Sequence, residues 1–62
     1  MPKTPAETMD LLRAAQATLA TAIEALEQGQ PERAYFAVGG AGIELHGAYE
    51  ALLLLTLGAP DA

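Results

Sequence analysis

Apolar residues recur along this chain at alternating steps of four and three. Thr8, Leu12, Ala15, Leu19, Ala22 and Leu26 form one such series; Ala34, Val38, Ala41, Leu45, Ala48, Leu52 and Leu55 form another. Steps of three and four return side chains to one face of an α-helix, whereas a strand changes face at every residue. The pattern predicts two helices and an all-α fold. In both series a large residue alternates with alanine, so that facing layers can interdigitate and the helices can approach closely. The expected core is therefore Leu12, Ala15, Leu19, Ala22 and Leu26 against Val38, Ala41, Leu45, Ala48, Leu52 and Leu55.

Local signals place the ends of these helices. Thr4-Pro5-Ala6-Glu7 fits a capping box, with proline at the first helical position, where its missing N–H costs nothing. No glycine or proline interrupts the chain from there to Gln28, and Gly29 suits a left-handed helix cap. Pro31 and Glu32 open the second helix, and Gly58 and Pro60 close it. The expected architecture is a single domain over residues 1–62. It has a helix over about 5–28, a turn at 29–30, a helix over about 31–57 and a short tail at 58–62. So short a turn returns the second helix antiparallel to the first.

Four glycines, at 39, 40, 42 and 47, fall inside the second series. A phosphate-binding loop does not fit them: Gly40-x-Gly42 begins a dinucleotide fingerprint, but Leu45 stands where its third glycine belongs, and no Lys-Ser/Thr follows. A β-hairpin turn at Gly-Gly lacks alternating flanks, and a lone two-stranded ribbon is marginal in water. The apolar register instead runs unbroken across the glycines, which favours a helix even at about 1 kcal/mol per helical glycine relative to alanine.

With the core series at positions a and d, the rows behind them hold Gly39, His46 and Leu53; Gly40, Gly47 and Leu54; and Phe36, Ile43, Glu50 and Leu57. A face that should meet water is instead largely glycine and apolar, and a helix that is apolar all round is buried all round. These ten residues are the expected interface, with the glycines as notches for a second chain. Helix one, whose outer side carries Asp10, Arg13, Thr21, Glu24 and Glu27, reads as the solvated exterior.

The length and layering resemble those of Rop-type helical hairpins. That resemblance implies a hairpin that dimerises into a four-helix bundle. Rop-type RNA binding uses a basic face, which this chain lacks.

Composition sharpens the picture. A chain of 62 residues buries only about 60% of the surface its unfolded form exposes. The absence of cysteine excludes disulfides and thiolate metal sites, so a partner chain is the expected source of further burial. Hydrophobic residues make up 52%, too many for a disordered tail. The net charge is −5, with Lys3, Arg13 and Arg33 as the only cations. Neither nucleic acid nor an anionic membrane is expected as a partner, because both need clustered positive charge. The apolar run over 51–57 is too short to span a bilayer, no secretory signal is visible, and the cytoplasm is the expected location.

Candidate chemistry is sparse. His46 and Glu50 sit one helical turn apart and could hydrogen-bond each other. With Glu44 or Tyr49, doubled by symmetry, they could line a ligand or metal site at a dimer axis. Serine and cysteine are absent and no threonine has a base beside it, so no enzyme and no cofactor are expected.

The expected function is that of a small acidic protein-binding module: an adaptor, co-chaperone or inhibitor, working as a homodimer or as a subunit of a larger complex. The corner Glu27-Gln28-Gly29-Gln30-Pro31-Glu32-Arg33-Ala34-Tyr35-Phe36 resembles the helix–turn–helix corner of small type III secretion co-chaperones. Its Gly followed by Ala34 is also similar to tetratricopeptide-like hairpins, and tiny acidic phage inhibitors of host proteins share the overall character.

Overall fold

Thr4 sets where the chain becomes helical. In the computed structural model, which describes residues 3–58, the Thr4 hydroxyl oxygen accepts from the Glu7 N–H at 3.1 Å, and the Glu7 carboxylate accepts from the Thr4 N–H at 2.9 Å. The capping box is complete, and helix α1 runs from Pro5 to Glu27. It ends in a Schellman motif: the Gly29 N–H reaches the Leu26 carbonyl at 3.1 Å and the Gln30 N–H reaches the Ala25 carbonyl at 2.8 Å. That geometry needs a left-handed residue, which Gly29 supplies at φ 72°. Helix α2 begins at once, with Pro31 in its first turn, and runs to Thr56. Both helices stop one residue short of the expected ends, because Gln28 and Leu57 act as cap residues. Pro60 and the rest of the expected tail beyond Gly58 lie outside the described residues.

The helices are antiparallel. Leu11 lies against Gly47 and Thr18 against both Gly40 and Glu44, so numbers rise along one helix as they fall along the other. The resulting rod measures 49 × 15 × 15 Å. Its radius of gyration of 14.3 Å exceeds the value of about 11 Å expected of a compact domain of this length. The described residues form one layer of two helices.

The seam between the helices is made of small residues. Ala15, Ala22 and Ala25 of α1 are buried with Thr8, opposite Ala34, Ala41, Ala48 and Ala51 of α2. No large side chain is fully buried among the described residues. The alanines expected in the core are therefore in it. Their expected companions are not core residues of the hairpin: Leu12, Leu19, Leu26, Val38, Leu45, Leu52 and Leu55 are between 39 and 62% exposed.

The cause is a rotation. The a and d series centres the seam of α1 between the row of Ala15 and the row of Leu19. The structure centres it between the rows of Ala15 and Thr18, about 50° away on a heptad wheel. The second helix turns by the same step, from the Ala41–Leu45 pair of rows to the Ala41–Glu44 pair. Close approach of two backbones requires small residues where they touch. Each helix offers one row of small residues, Thr8, Ala15 and Ala22 on α1 and Ala34, Ala41 and Ala48 on α2. Beside it runs a second that is small except at Leu11 on α1 and Glu44 on α2, and the other leucines are displaced to the border.

Candidate interaction face

The rotation has a directional consequence. Viewed along α1 from its N-terminus, successive residues turn clockwise; along antiparallel α2, from the same viewpoint, they turn counterclockwise. Leucine rows that follow the seam in the same sequence sense on both helices therefore emerge on the same side of the rod. Leu12, Leu19 and Leu26 of α1 line up beside Val38, Leu45 and Leu52 of α2. Met9 and Ile23 extend this face along the outer edge of α1, and Tyr35 and Tyr49 extend it along the outer edge of α2. All of these side chains are open to solvent.

Charge stays off this face. Heptad register puts Glu7, Asp10, Glu24 and Glu27 on the opposite side or the back of α1. It puts Glu32 and Glu50 on the back of α2 and Glu44 in the seam itself. Arg13 and Arg33 likewise lie elsewhere. The polar positions on the face are Gln16, at its α1 edge, and Thr56, at the C-terminal end of α2. It is the one side of the hairpin built from the large apolar residues of both helices.

The expected interface on the back of α2 divides in two. Gly40 and Gly47 do face a second helix, and that helix is α1 of the same chain. A Cβ added at Gly40 would stand 3.8 Å from Cγ2 of Thr18, and one added at Gly47 would stand 3.4 Å from Cδ1 of Leu11. Both notches are occupied in part from within the hairpin. Gly39, in contrast, has nothing within 4 Å of an added Cβ. Phe36 and Ile43, one turn to either side of it, are exposed at 74 and 77%, and Leu53, Leu54 and Leu57 further along the helix are exposed as well. Phe36 packs edge-on against Tyr35 with ring centroids 5.5 Å apart. The back of α2 is thus a second, narrower apolar strip, carried by one helix.

Two polar contacts bear on chemistry. The Thr18 hydroxyl lies 3.2 Å from a Glu44 carboxylate oxygen and 2.9 Å from the Ala14 carbonyl, half-buried at the seam. This gives Glu44 a partner across the helices and fixes their relative slide. His46 Nε2 lies 3.2 Å from a Glu50 oxygen on the open surface, the one-turn pair expected from spacing. Among the described residues, no group of three or more His, Asp or Glu side chains converges as a metal would require. Hollows at the two ends of the rod, lined by Lys3, Glu7, Asp10 and Leu11 and by the Gly29–Arg33 turn, are open to solvent.

Sequence reasoning missed Met9 and Ile23 as members of an apolar face, because it treated the leucine rows as interior; Tyr35 and Tyr49 read from sequence as packing residues that flank the core. The available signal was the second small row on each helix, Thr18 and Ala25 on α1 and Ala37 and Ala51 on α2, which competes with leucine for the seam. No helix among the described residues is long and apolar enough to cross a membrane. In comparison with known proteins, no family model, curated sequence or solved structure matches this chain.

Proposed function

We propose that this chain is a small acidic protein-binding module whose work is docking, not turnover. The observation that carries the proposal is the mismatch between its two kinds of apolar residue. The helices close on alanine and leave their leucines half-covered at the border, aligned on one side and free of charged neighbours. Burying a leucine contributes roughly 1.5–3 kcal/mol and a methyl group about 0.8 kcal/mol. Leu12, Leu19, Leu45 and Leu52 keep between 39 and 45% of their surface exposed, and that share of the hydrophobic stabilisation is gained only when a protein covers the face. Contiguous exposed apolar surface of this extent is the mark of an interaction site. The four-helix bundle expected from the layering is an assembly that closes it fully. An adaptor, a co-chaperone or an inhibitor would each work through such a surface, and the acidic outer sides would repel wrong acidic partners.

The back of α2 supports a second docking surface, favoured by the full exposure of Phe36 and Ile43 beside the open backbone at Gly39. A ligand or metal site has only the His46–Glu50 pair to draw on, and the register sets that pair on the back of α2, away from the leucine face.

A photo-crosslinking amino acid at Leu45, compared with one at Ala20 on the solvated back of α1, tests the proposal in cells. Protein adducts are expected at 45 and not at 20. Equal yields at the two positions, or none at 45, would refute it.

A further inference from the structure

We infer that the occupant of the leucine face is a second copy of this chain, and that folding and self-association are a single step. The inference rests on the leucine face being the docking surface, and it names the partner. Four observations support it.

The first is charge. At −5, a chain of this size repels its own copies. Every described acidic residue lies off the leucine rows, so two copies meeting there keep their carboxylates on the far sides of the assembly. A face evolved for a basic partner would gain from acids at its edge; here the edges are Met9, Gln16 and Ile23 on one side and Tyr35 and Tyr49 on the other.

The second is shape. On this face the large residues stand seven apart on both helices, at Leu12, Leu19 and Leu26 and at Val38, Leu45 and Leu52, so each copy presents ridges, and the gaps between them, at one spacing. A two-fold axis brings the ridges of one copy over the hollows of the other, the self-complementarity that an isologous contact requires.

The third is area. Helix α1, at 23 residues, is about 34 Å long, and the rod is 15 Å wide. Each copy thus offers about 500 Å², for about 1,000 Å² in total, the floor for a specific interface.

The fourth is necessity. A seam of alanines with no large buried side chain gives little reason for a lone hairpin to stay folded. Its cover must be present whenever the chain is, and a second copy always is.

Sedimentation equilibrium and thermal melting of the full chain, over roughly a hundredfold range of concentration, test this directly. The expected mass is that of two chains, with a melting midpoint that climbs with concentration. A one-chain mass with full helicity and a concentration-independent midpoint would overturn the inference. It would leave the broader docking proposal to its own cross-linking test, which responds to any protein.

Leu45→Glu is expected to abolish the dimer and most of the helical signal, leaving at most what α1 shows alone, while Ile43→Glu on the back of α2 keeps both. The reverse pattern would place the second copy on the wrong face for this inference. Because Leu45→Glu is expected to unfold, a milder pair locates the contact in folded protein. In Leu19→Cys, thiol labelling should slow at least tenfold between dilute and concentrated samples; in Ala20→Cys it should not change. Equal concentration dependence at the two sites would also overturn the inference.

Discussion

The two helices share a seam but are specified differently. Helix α1 carries its own instructions: a complete capping box, no internal glycine, and acids along its outer side. Helix α2 has no side-chain cap, contains four glycines, and is apolar on its front, its leucine edge and much of its back. Local chemistry favours the helix throughout α1. In α2 it does not, and the helix there depends on packing against α1. The comparison teaches where the structure of this chain comes from. One helix is a template and the other is folded onto it, with the glycines tolerated because packing offsets them.

The largest expected effect separates the helices altogether. A peptide of residues 3–30 should show measurable helix by circular dichroism in water, and one of residues 28–58 should show much less. Four helical glycines alone set α2 back by about 4 kcal/mol relative to alanine. Equal helicity in the two peptides would break the distinction between template and dependent helix.

Next comes the seam, where the two helices are most alike. Ala15 and Ala48 are each about 1% exposed, and a leucine at either place has no room. Ala48→Leu is expected to destabilise by roughly 1–3 kcal/mol in denaturant unfolding, the usual cost of overpacking. Ala20→Leu on the open back of α1 should stay within about 0.5 kcal/mol of the parent. A neutral Ala48→Leu would mean that the seam can open, and that small residues there do not set the approach of the axes.

This seam also marks the limit of what was legible. The helix ends could be read almost to the residue, because Thr4, Glu7, Gly29 and Pro31 act on their immediate neighbours. The antiparallel pairing followed from the short turn. The rotation of each helix did not follow. Periodicity locates an apolar stripe, and leucine and alanine count alike in it. What centres the stripe on a partner is size: two small rows let the backbones approach, and the leucine row beside them is then pushed out. The same ambiguity assigned Gly40 and Gly47 to an outside partner, although Thr18 and Leu11 of α1 are the side chains beside them. An apolar surface left over beyond the seam was therefore legible in kind on the back of α2; the leucine face shared by both helices was not, because its rows were assigned to the interior.

The glycines give a graded test of the same point. Gly39→Ala meets nothing within 4 Å, so it should stabilise by about 1 kcal/mol in thermal or chemical unfolding. Gly47→Ala places its methyl at ordinary contact distance, 3.4 Å from Leu11, and should stabilise by less. Gly29→Ala should destabilise by about 1 kcal/mol, since its φ of 72° lies where a Cβ is strained. If Gly39→Ala destabilised instead, something outside the hairpin would be using the bare backbone at that point, and the back of α2 would take precedence over the leucine face.

The smallest expected effect concerns His46 and Glu50, the polar pair within that otherwise apolar strip. Their side chains are 70 and 64% exposed, and the contact joins residues one turn apart on a single helix. Exposed pairs of this kind lose most of their attraction to solvent screening and spend part of the rest on ordering two side chains. His46→Ala should therefore change unfolding stability by no more than about 0.5 kcal/mol, with no change in the mass of the assembly. Added zinc should leave the melting temperature where it was, because two ligands on one turn do not complete a site. This null result would separate the two faces: substitution at Leu45 is expected to remove the proposed assembly, while substitution at His46 is expected to leave it intact. A loss above about 1 kcal/mol, or a zinc-dependent rise in melting temperature, would exceed what an exposed pair can supply. It would show that His46 is buried against a second chain, and that the back of α2 carries a working surface of its own.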